Sequence, residues 1–270
     1  MSWLGKFFGG AFGFLLGGPL GAILGASVGH QFDIGMQGID RDERLSPGDQ
    51  HRVQMAFFTA TFSVMGHIAK SDGRVSTAEI NLAKRIMDEM ALSGDMRETA
   101  VKLFQQGKDS HFPLDEVLEQ FRSECRRRID LLRMFLEIQL QAALADGQLN
   151  AKEDHLLLNI CRQLGISRFE YESIKMQLLA QQRFYNQSTG NRRYQPARAQ
   201  DNLADAYAVL GLKPTATDAD IKKSYRRLIS RHHPDKLVAK GLPEEMMTLA
   251  KEKTQQIRKA YETIMEARER

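Results

Sequence analysis

Residues 217–236 read TDADIKKSYRRLISRHHPDK, and the order of residue types in this stretch organises everything near it. Thr217-x-x-Asp220 has the form of a capping box, in which two side chains satisfy each other's backbone N–H at a helix start. Ile221, Tyr225, Leu228 and His232 then recur at three-to-four spacing, which puts them on one face of a helix. Lys222, Lys223, Arg226, Arg227 and Arg231 fall on the opposite side. Pro234 disfavours helical backbone at His233 and ends the run. Upstream, Asp205 to Gly211 predicts a short helix stopped by glycine. Downstream, a second long helix begins near Glu244-Glu245 and carries Met247, Leu249, Ala250, Ile257, Ala260 and Tyr261. Residues 203–270 therefore predict a self-contained module of two antiparallel helices joined by His233-Pro234-Asp235.

The chemistry of this module points to recognition. A helix with five cations on one face steers toward an acidic partner and governs on-rate and register. Asp235 offers a carboxylate for a bidentate arginine contact. Pro234 restricts the loop and lowers the entropy cost of binding. His233 either hydrogen-bonds a partner or braces the loop. From Leu203 to Arg270 there are 14 Lys+Arg and 10 Asp+Glu. The interspersed acids argue against a nucleic-acid helix. Adjacent His232-His233 lack the helical ligand spacing of a metal site, and neither a nucleophile nor a phosphate loop accompanies them.

Residues 183–202 contain few aliphatic side chains and no apolar periodicity, which predicts a flexible linker. Before it, from His51 to Arg183, Met55, Phe58, Phe62, Met65 and Ile68-Ala69 follow helical spacing, as do Leu131, Met134-Phe135, Ile138 and Ala142. Turn signals at Ser71-Asp72-Gly73, Ser93-Gly94, Phe112-Pro113 and Asp146-Gly147 divide the region into about seven helices. Two of these turns repeat: Ala69 to Glu79 and Ala143 to Glu153 both read D-G-x-[V/L]-x-x-x-E. The repeat predicts two related helical hairpins facing each other across a pseudo-twofold axis. Asp72, Glu79, Asp146 and Glu153 imitate the second half of a calcium loop. The leading ligand positions hold Ile68 and Lys70, and in the copy Ala142 and Leu144, so a complete calcium loop is excluded. What remains is a glycine turn with an acidic helix start, or a site sharing acids from both copies.

The amino-terminal segment differs from the rest. Phe7 to Gly29 is 23 residues without an ionisable side chain, and ten of them are Phe, Leu, Ile or Val. As a helix it spans about 35 Å, enough for a ~30 Å hydrocarbon core. Gly5, Gly9, Gly13, Gly17, Gly21, Gly25 and Gly29 recur every fourth residue. They make a ridge along which a second backbone approaches closely, which predicts self-association in lipid through Gly9, Gly13, Gly17, Gly21 and Gly25. Gly25-Ala-Ser27-Val-Gly29 imitates a nucleophile elbow but lacks the strand–turn–helix setting. Lys6 flanks one side of the span, with Arg41 and Arg44 on the other, which favours a cytoplasmic carboxyl end.

Across the 270 residues the composition is that of a globular chain of one or two domains, with 42% hydrophobic and 27% charged residues. Two cysteines, Cys125 and Cys161, exclude a disulfide scaffold and a cysteine-rich zinc module. The formal charge of +4 lies wholly in residues 203–270; the remainder is balanced.

The repeat in its helical setting resembles the TerB-like (tellurite-resistance) domain over about residues 51–182. Tyr207-Ala-Val-Leu-Gly211-Leu, Ile221-Lys-Lys-Ser-Tyr225-Arg, His232-His233-Pro234-Asp235-Lys236 and Arg258-Lys-Ala260-Tyr261-Glu together resemble a J domain over 203–270. Following a membrane segment in this order, they resemble the membrane-anchored DnaJ-like co-chaperones of Gram-negative bacteria. The resemblance implies an all-α chain in six parts. These are a flank (1–6), a single transmembrane helix (7–29), a juxtamembrane segment (30–50), a TerB-like domain (51–182), a linker (183–202) and a J-domain helical hairpin (203–270).

The same resemblance implies that the J domain binds DnaK, the seventy-kilodalton chaperone, and stimulates its ATP hydrolysis. The contacts would run through His233, Pro234, Asp235, Lys222, Lys223, Arg226, Arg227 and Arg231. Taken with the glycine ridge, the flanking charges and the residue chemistry above, it predicts a homodimer in the lipid of the bacterial inner membrane, with carboxyl-terminal domains in the cytoplasm, no cofactor, no nucleic-acid partner and no enzymatic activity of its own. No Gly/Phe-rich region or CxxCxGxG repeat follows the J domain, which argues against general holding of unfolded clients. The competing expectation is a stress-response scaffold working mainly through the TerB-like domain.

Overall fold

The computed structural model describes residues 18–23, 25, 47–71, 77–89, 92, 94–126, 128–144, 149–189 and 196–269. Among these, every regular element is a helix. The chain divides into two compact units, Met1–Ile166 with Val238–Met246, and Ser167–Leu237 with Met247–Arg270.

The first unit contains α1 (Pro47–Lys70), α2 (Thr77–Glu89), α3 (Gly94–Gly107), α4 (Leu114–Glu124), α5 (Ile129–Ala143) and α6 (Ala151–Leu164). Helix α1 is its centre and packs against α3, α4, α5 and α6. The apolar stripe expected from Phe58, Phe62, Met65 and Ile68 is buried, and so are Val53, Phe57, Thr61 and Val64 on the other sides. A helix apolar nearly all round is an interior helix. Phe57 meets Phe121 of α4 and Phe135 of α5, with ring centroids 5.9 and 6.4 Å away. Edge-on aromatic contacts of this kind add to the area term.

Where α1 crosses α3 the two backbones touch. A Cβ on Gly66 would lie 2.0 Å from the Phe104 carbonyl oxygen, and one on Gly107 would lie 1.7 Å from that of Ser63. Only glycine permits this approach. Beside it, His67 Nδ1 and the Gly107 carbonyl oxygen are 3.2 Å apart. Burial holds the His67 imidazole below its ordinary pKa, against the opposing effect of that hydrogen bond.

The repeat emerges as two pairs of successive helices, α1–α2 and α5–α6. Their first helices pack together, α2 packs on α5, and α6 packs on α1, so each second helix lies on the other copy's first. Asn150 opens α6 with a capping box: its Oδ1 accepts from Lys152 N and Glu153 N at 3.0 and 2.9 Å, and Glu153 Oε2 accepts from Asn150 N at 3.1 Å. Val238–Met246 completes this unit. Gln50 Nε2 donates to the Val238 carbonyl (3.4 Å), and Lys240 Nζ donates to Asp130 Oδ2.

The second unit contains α7 (Arg168–Thr189), α8 (Pro196–Val209), α9 (Asp218–His232) and α11 (Met247–Glu269). The short α10 (Pro234–Ala239) begins in it and crosses into the first unit after Leu237, and a 3-10 turn at Glu244–Met246 precedes α11. Its core joins Ala180 and Phe184 of α7, Ala206, Tyr207 and Val209 of α8, Ile221 and Leu228 of α9, and Ile257, Ala260 and Ile264 of α11.

Helix extends into both ends of the expected linker, whose residues 190–195 lie outside the described residues. Residues 183–189 continue α7 and residues 196–202 open α8. The reason is packing rather than periodicity. Phe184 is 4% exposed in the core, and Arg183 pairs with Asp205, its Nε donating to Oδ1 at 2.9 Å and its Nη2 lying 2.9 Å from the same oxygen. Gln181 Oε1 accepts from Lys253 Nζ at 2.8 Å. Helix α7 thus packs within the second unit.

The expected membrane span, 7–29, lies largely outside the described residues. Within it, residues 18–23 and 25 are helical, and Gly18 has a left-handed φ of +63° ahead of Pro19. No described helix is long and apolar enough to cross a membrane.

Candidate functional site

The capping box read from the sequence forms at the start of α9. Thr217 is extended, its hydroxyl accepts from Asp220 N at 3.2 Å, and Asp220 Oδ2 accepts from Thr217 Oγ1 at 2.6 Å and Thr217 N at 3.2 Å. The Thr217 hydroxyl, its backbone N–H and the nearby Lys223 charge hold the Asp220 carboxyl below the usual carboxylate range. One side of α9 is then fixed by packing. Ile221 and Leu228 are buried, Tyr225 stacks on Tyr261 of α11 with centroids 4.3 Å apart, and His232 is buried in the last turn. Ser224, a residue the sequence reading passed over, is also buried; its Oγ donates to the Leu210 carbonyl at 2.6 Å and ties α9 to the end of α8. That end turns at Gly211, whose φ of +68° suits glycine and lets Leu212 N bond back to the Tyr207 carbonyl at 2.9 Å.

With this face pinned, Lys222, Lys223, Arg226 and Arg227 are exposed together on the other, and Arg231 is half-buried below them. Arg226 Nε donates to the Lys222 carbonyl (3.3 Å) and Arg227 Nη2 to Ser224 Oγ (3.2 Å). These acceptors are neutral, so they orient the guanidinium groups without cancelling their charge.

The tripeptide sits where α9 ends. His233 is extended (φ −63°, ψ 122°), as the residue before a proline prefers. Pro234, however, does not sit in a loop: it is the first residue of α10, and Leu237 N bonds to the His233 carbonyl at 3.0 Å. The physical reason is that proline is preset for the first helical position, where no N–H is needed. Asp235 is exposed in the first turn of α10, and Lys236 Nζ reaches back to Ser230 Oγ at 2.6 Å. His233 is half-buried; its Nδ1 is shielded from solvent and has no hydrogen-bond partner among the described residues. All eight residues singled out in the sequence thus lie on one helix and the turn that follows it. At the far end Arg268 of α11 caps the assembly, donating to Tyr207 Oη at 2.8 Å and to Asp218 and the Ala216 carbonyl.

The acidic candidates of the first unit divide. Asp72, Asp146 and the side chain of Glu79 lie outside the described residues. Glu153 is 5% exposed and its carboxylate belongs to the capping box of α6. No group of three or more His, Cys, Asp or Glu suited to a metal occurs among the described residues. Of the glycine ridge, Gly21 and Gly25 are described and helical, while Gly9, Gly13 and Gly17 lie outside. Cys125 is buried, which pushes its thiol up to about 12 and leaves it inert as a nucleophile.

A basic helix ending in His-Pro-Asp, braced by two further helices, defines a J-domain protein, and residues 205–270 match the DnaJ domain. Residues 58–176 match tellurite resistance protein TerB, and residues 1–41 match the co-chaperone DjlA transmembrane domain. The chain is 47% identical over 274 residues to co-chaperone protein DjlA of Coxiella burnetii, covering 99% of each. It is 46% identical to that of Escherichia coli strain K12 (88% of this chain, 87% of the relative) and 45% identical to that of Photobacterium profundum (96% and 97%). The chain belongs to the DjlA family of membrane-anchored co-chaperones. No solved structure matches it.

Proposed function

We propose that this chain recruits DnaK to the inner-membrane surface and stimulates its ATP hydrolysis through the J domain, without being an enzyme itself. The observation that carries this reading is the juxtaposition of the exposed cationic face of α9 with Asp235 at the start of α10. The cations attract an acidic ATPase domain and set its register. Asp235, held in a first helical turn and open to solvent, receives an arginine from the partner. Pro234 keeps that carboxylate in one position relative to α9, which reduces the ordering cost of binding. His233 presents its ring at the same junction.

The residues before α1 supply the anchor, and the glycine ridge pairs two copies in lipid. Both ends of the functional chain, α1 to α11, face the cytoplasm, where ATP and DnaK are. The test is single-turnover ATP hydrolysis by DnaK with the full chain in lipid nanodiscs. Stimulation that disappears in His233→Gln and in Asp235→Asn supports the reading. Full stimulation by either folded variant overturns it.

A further inference from the structure

Lys222, Lys223, Arg226 and Arg227 are exposed side by side on α9, and no ion pair holds any of them among the described residues. The whole formal charge of +4 resides in residues 203–270. The same chain carries a membrane domain over residues 1–41. This basic face, with Asp220 near Lys223 at its start, is therefore tethered to a bilayer by the chain's own anchor.

We propose that the cationic face of α9 also binds the anionic headgroups of the bilayer in which the chain is anchored. The J domain then has a surface-bound state that competes with its protein partner. Each lysine or arginine near an anionic leaflet strengthens attachment about fivefold, so four together contribute several hundredfold. The anchor adds to this, because binding becomes intramolecular and the effective lipid concentration is high. The face suits a lipid surface in shape: from Lys222 to Arg227 the cations span about 8 Å of helix with no acid among them. The surface potential of a leaflet decays over a Debye length, about 8 Å in physiological salt. The bound state is thus a direct contact, and salt abolishes it. The headgroup contact stands independently of the DnaK reading; only the competition rests on it.

Ser230 lies in the middle of the same face and is exposed, while Cys125 and Cys161 are buried. Ser230→Cys in the full chain therefore accepts a fluorophore selectively. The labelled protein is placed in nanodiscs of phosphatidylcholine alone or with anionic phosphatidylglycerol, each containing a headgroup quencher. The expected result is at least threefold stronger quenching in the anionic discs. It is lost in the variant K222Q/K223Q/R226Q/R227Q, and at about 0.5 M salt, where the Debye length is roughly 4 Å. Circular dichroism checks that the variant is folded. Equal quenching in the two lipids, or quenching that survives the four substitutions, overturns the proposal.

DnaK with ATP is then added to the anionic discs. Release of quenching supports competition; stimulation with the label still quenched refutes it. ATP hydrolysis in phosphatidylcholine discs reads the DnaK assignment separately, so either idea fails without the other.

Discussion

Phe184→Ala tests the most consequential feature of the second unit, the incorporation of α7. Phe184 is 4% exposed, its ring lies against the core of α8 and α11, and Lys259 Nζ sits 5.9 Å from its centroid. Truncating a buried phenylalanine removes the transfer energy of the ring and leaves a cavity, together about 3–5 kcal/mol. That is a large part of the ~5–15 kcal/mol that holds a domain folded. Arg183→Ala removes an ion pair from a carboxylate that is 9% exposed, but the arginine itself is 54% exposed, so its loss costs about 1 kcal/mol. Met176→Ala on the same helix is the control: Met176 is 58% exposed, and its loss stays within about 0.5 kcal/mol. Urea unfolding of residues 167–270, followed by circular dichroism, is the assay. With a slope near 1.5 kcal/mol/M, Phe184→Ala lowers the midpoint by about 2 M or more. Residues 203–270 alone, lacking α7, are destabilised at least as much. If Phe184→Ala shifts the midpoint no further than Met176→Ala, or if residues 203–270 are as stable as 167–270, then α7 is not part of the J module's fold.

Three further outcomes are expected. Asp235→Asn removes an exposed carboxylate, so it leaves the melting curve within about 0.5 kcal/mol of the parent while weakening DnaK binding by about 2–5 kcal/mol, read by titration calorimetry. Gly107→Ala drives a methyl group onto the Ser63 carbonyl, forces α1 and α3 apart, and destabilises the first unit by about 3 kcal/mol or more in a denaturant melt. His67 is held below its ordinary pKa by burial, so the unfolded chain takes up its proton first as pH falls. Stability is therefore unaffected by this group above about pH 6.5 and declines below it, and a melting series from pH 8 to about 5 shows less decline in His67→Gln.

Much of this architecture is legible without coordinates because it is local. The capping box at Thr217 and Asp220, the buried stripe of Ile221 and Leu228 and the glycine stop at Gly211 each depend on residues within one or two turns. The cationic side of α9 follows from the same periodicity, since a helix that buries one face exposes the other. The repeated D-G turns likewise announce α1–α2 and α5–α6 before their packing is known. Pro234 is the exception: its order in the sequence marks only the end of α9 and predicts a loop, whereas proline also fits the first position of a helix and α10 begins on it.

What the amino-acid order determines in this protein is its helical class, the starts and stops that carry a local cap or glycine signal, and the His-Pro-Asp signature of the J domain. What only the tertiary structure decides is how those helices are shared out. The polar run from Gln177 to Thr189 has too few apolar residues to declare a buried face. It joins the second unit because Ala180 and Phe184 meet complementary surfaces on α8 and α11. Val238–Met246 joins the first unit through Lys240 and Asp130, 110 residues apart in sequence. Periodicity measures how much apolar surface a helix offers; the identity of the surface that covers it depends on distant residues, and no window of sequence contains both.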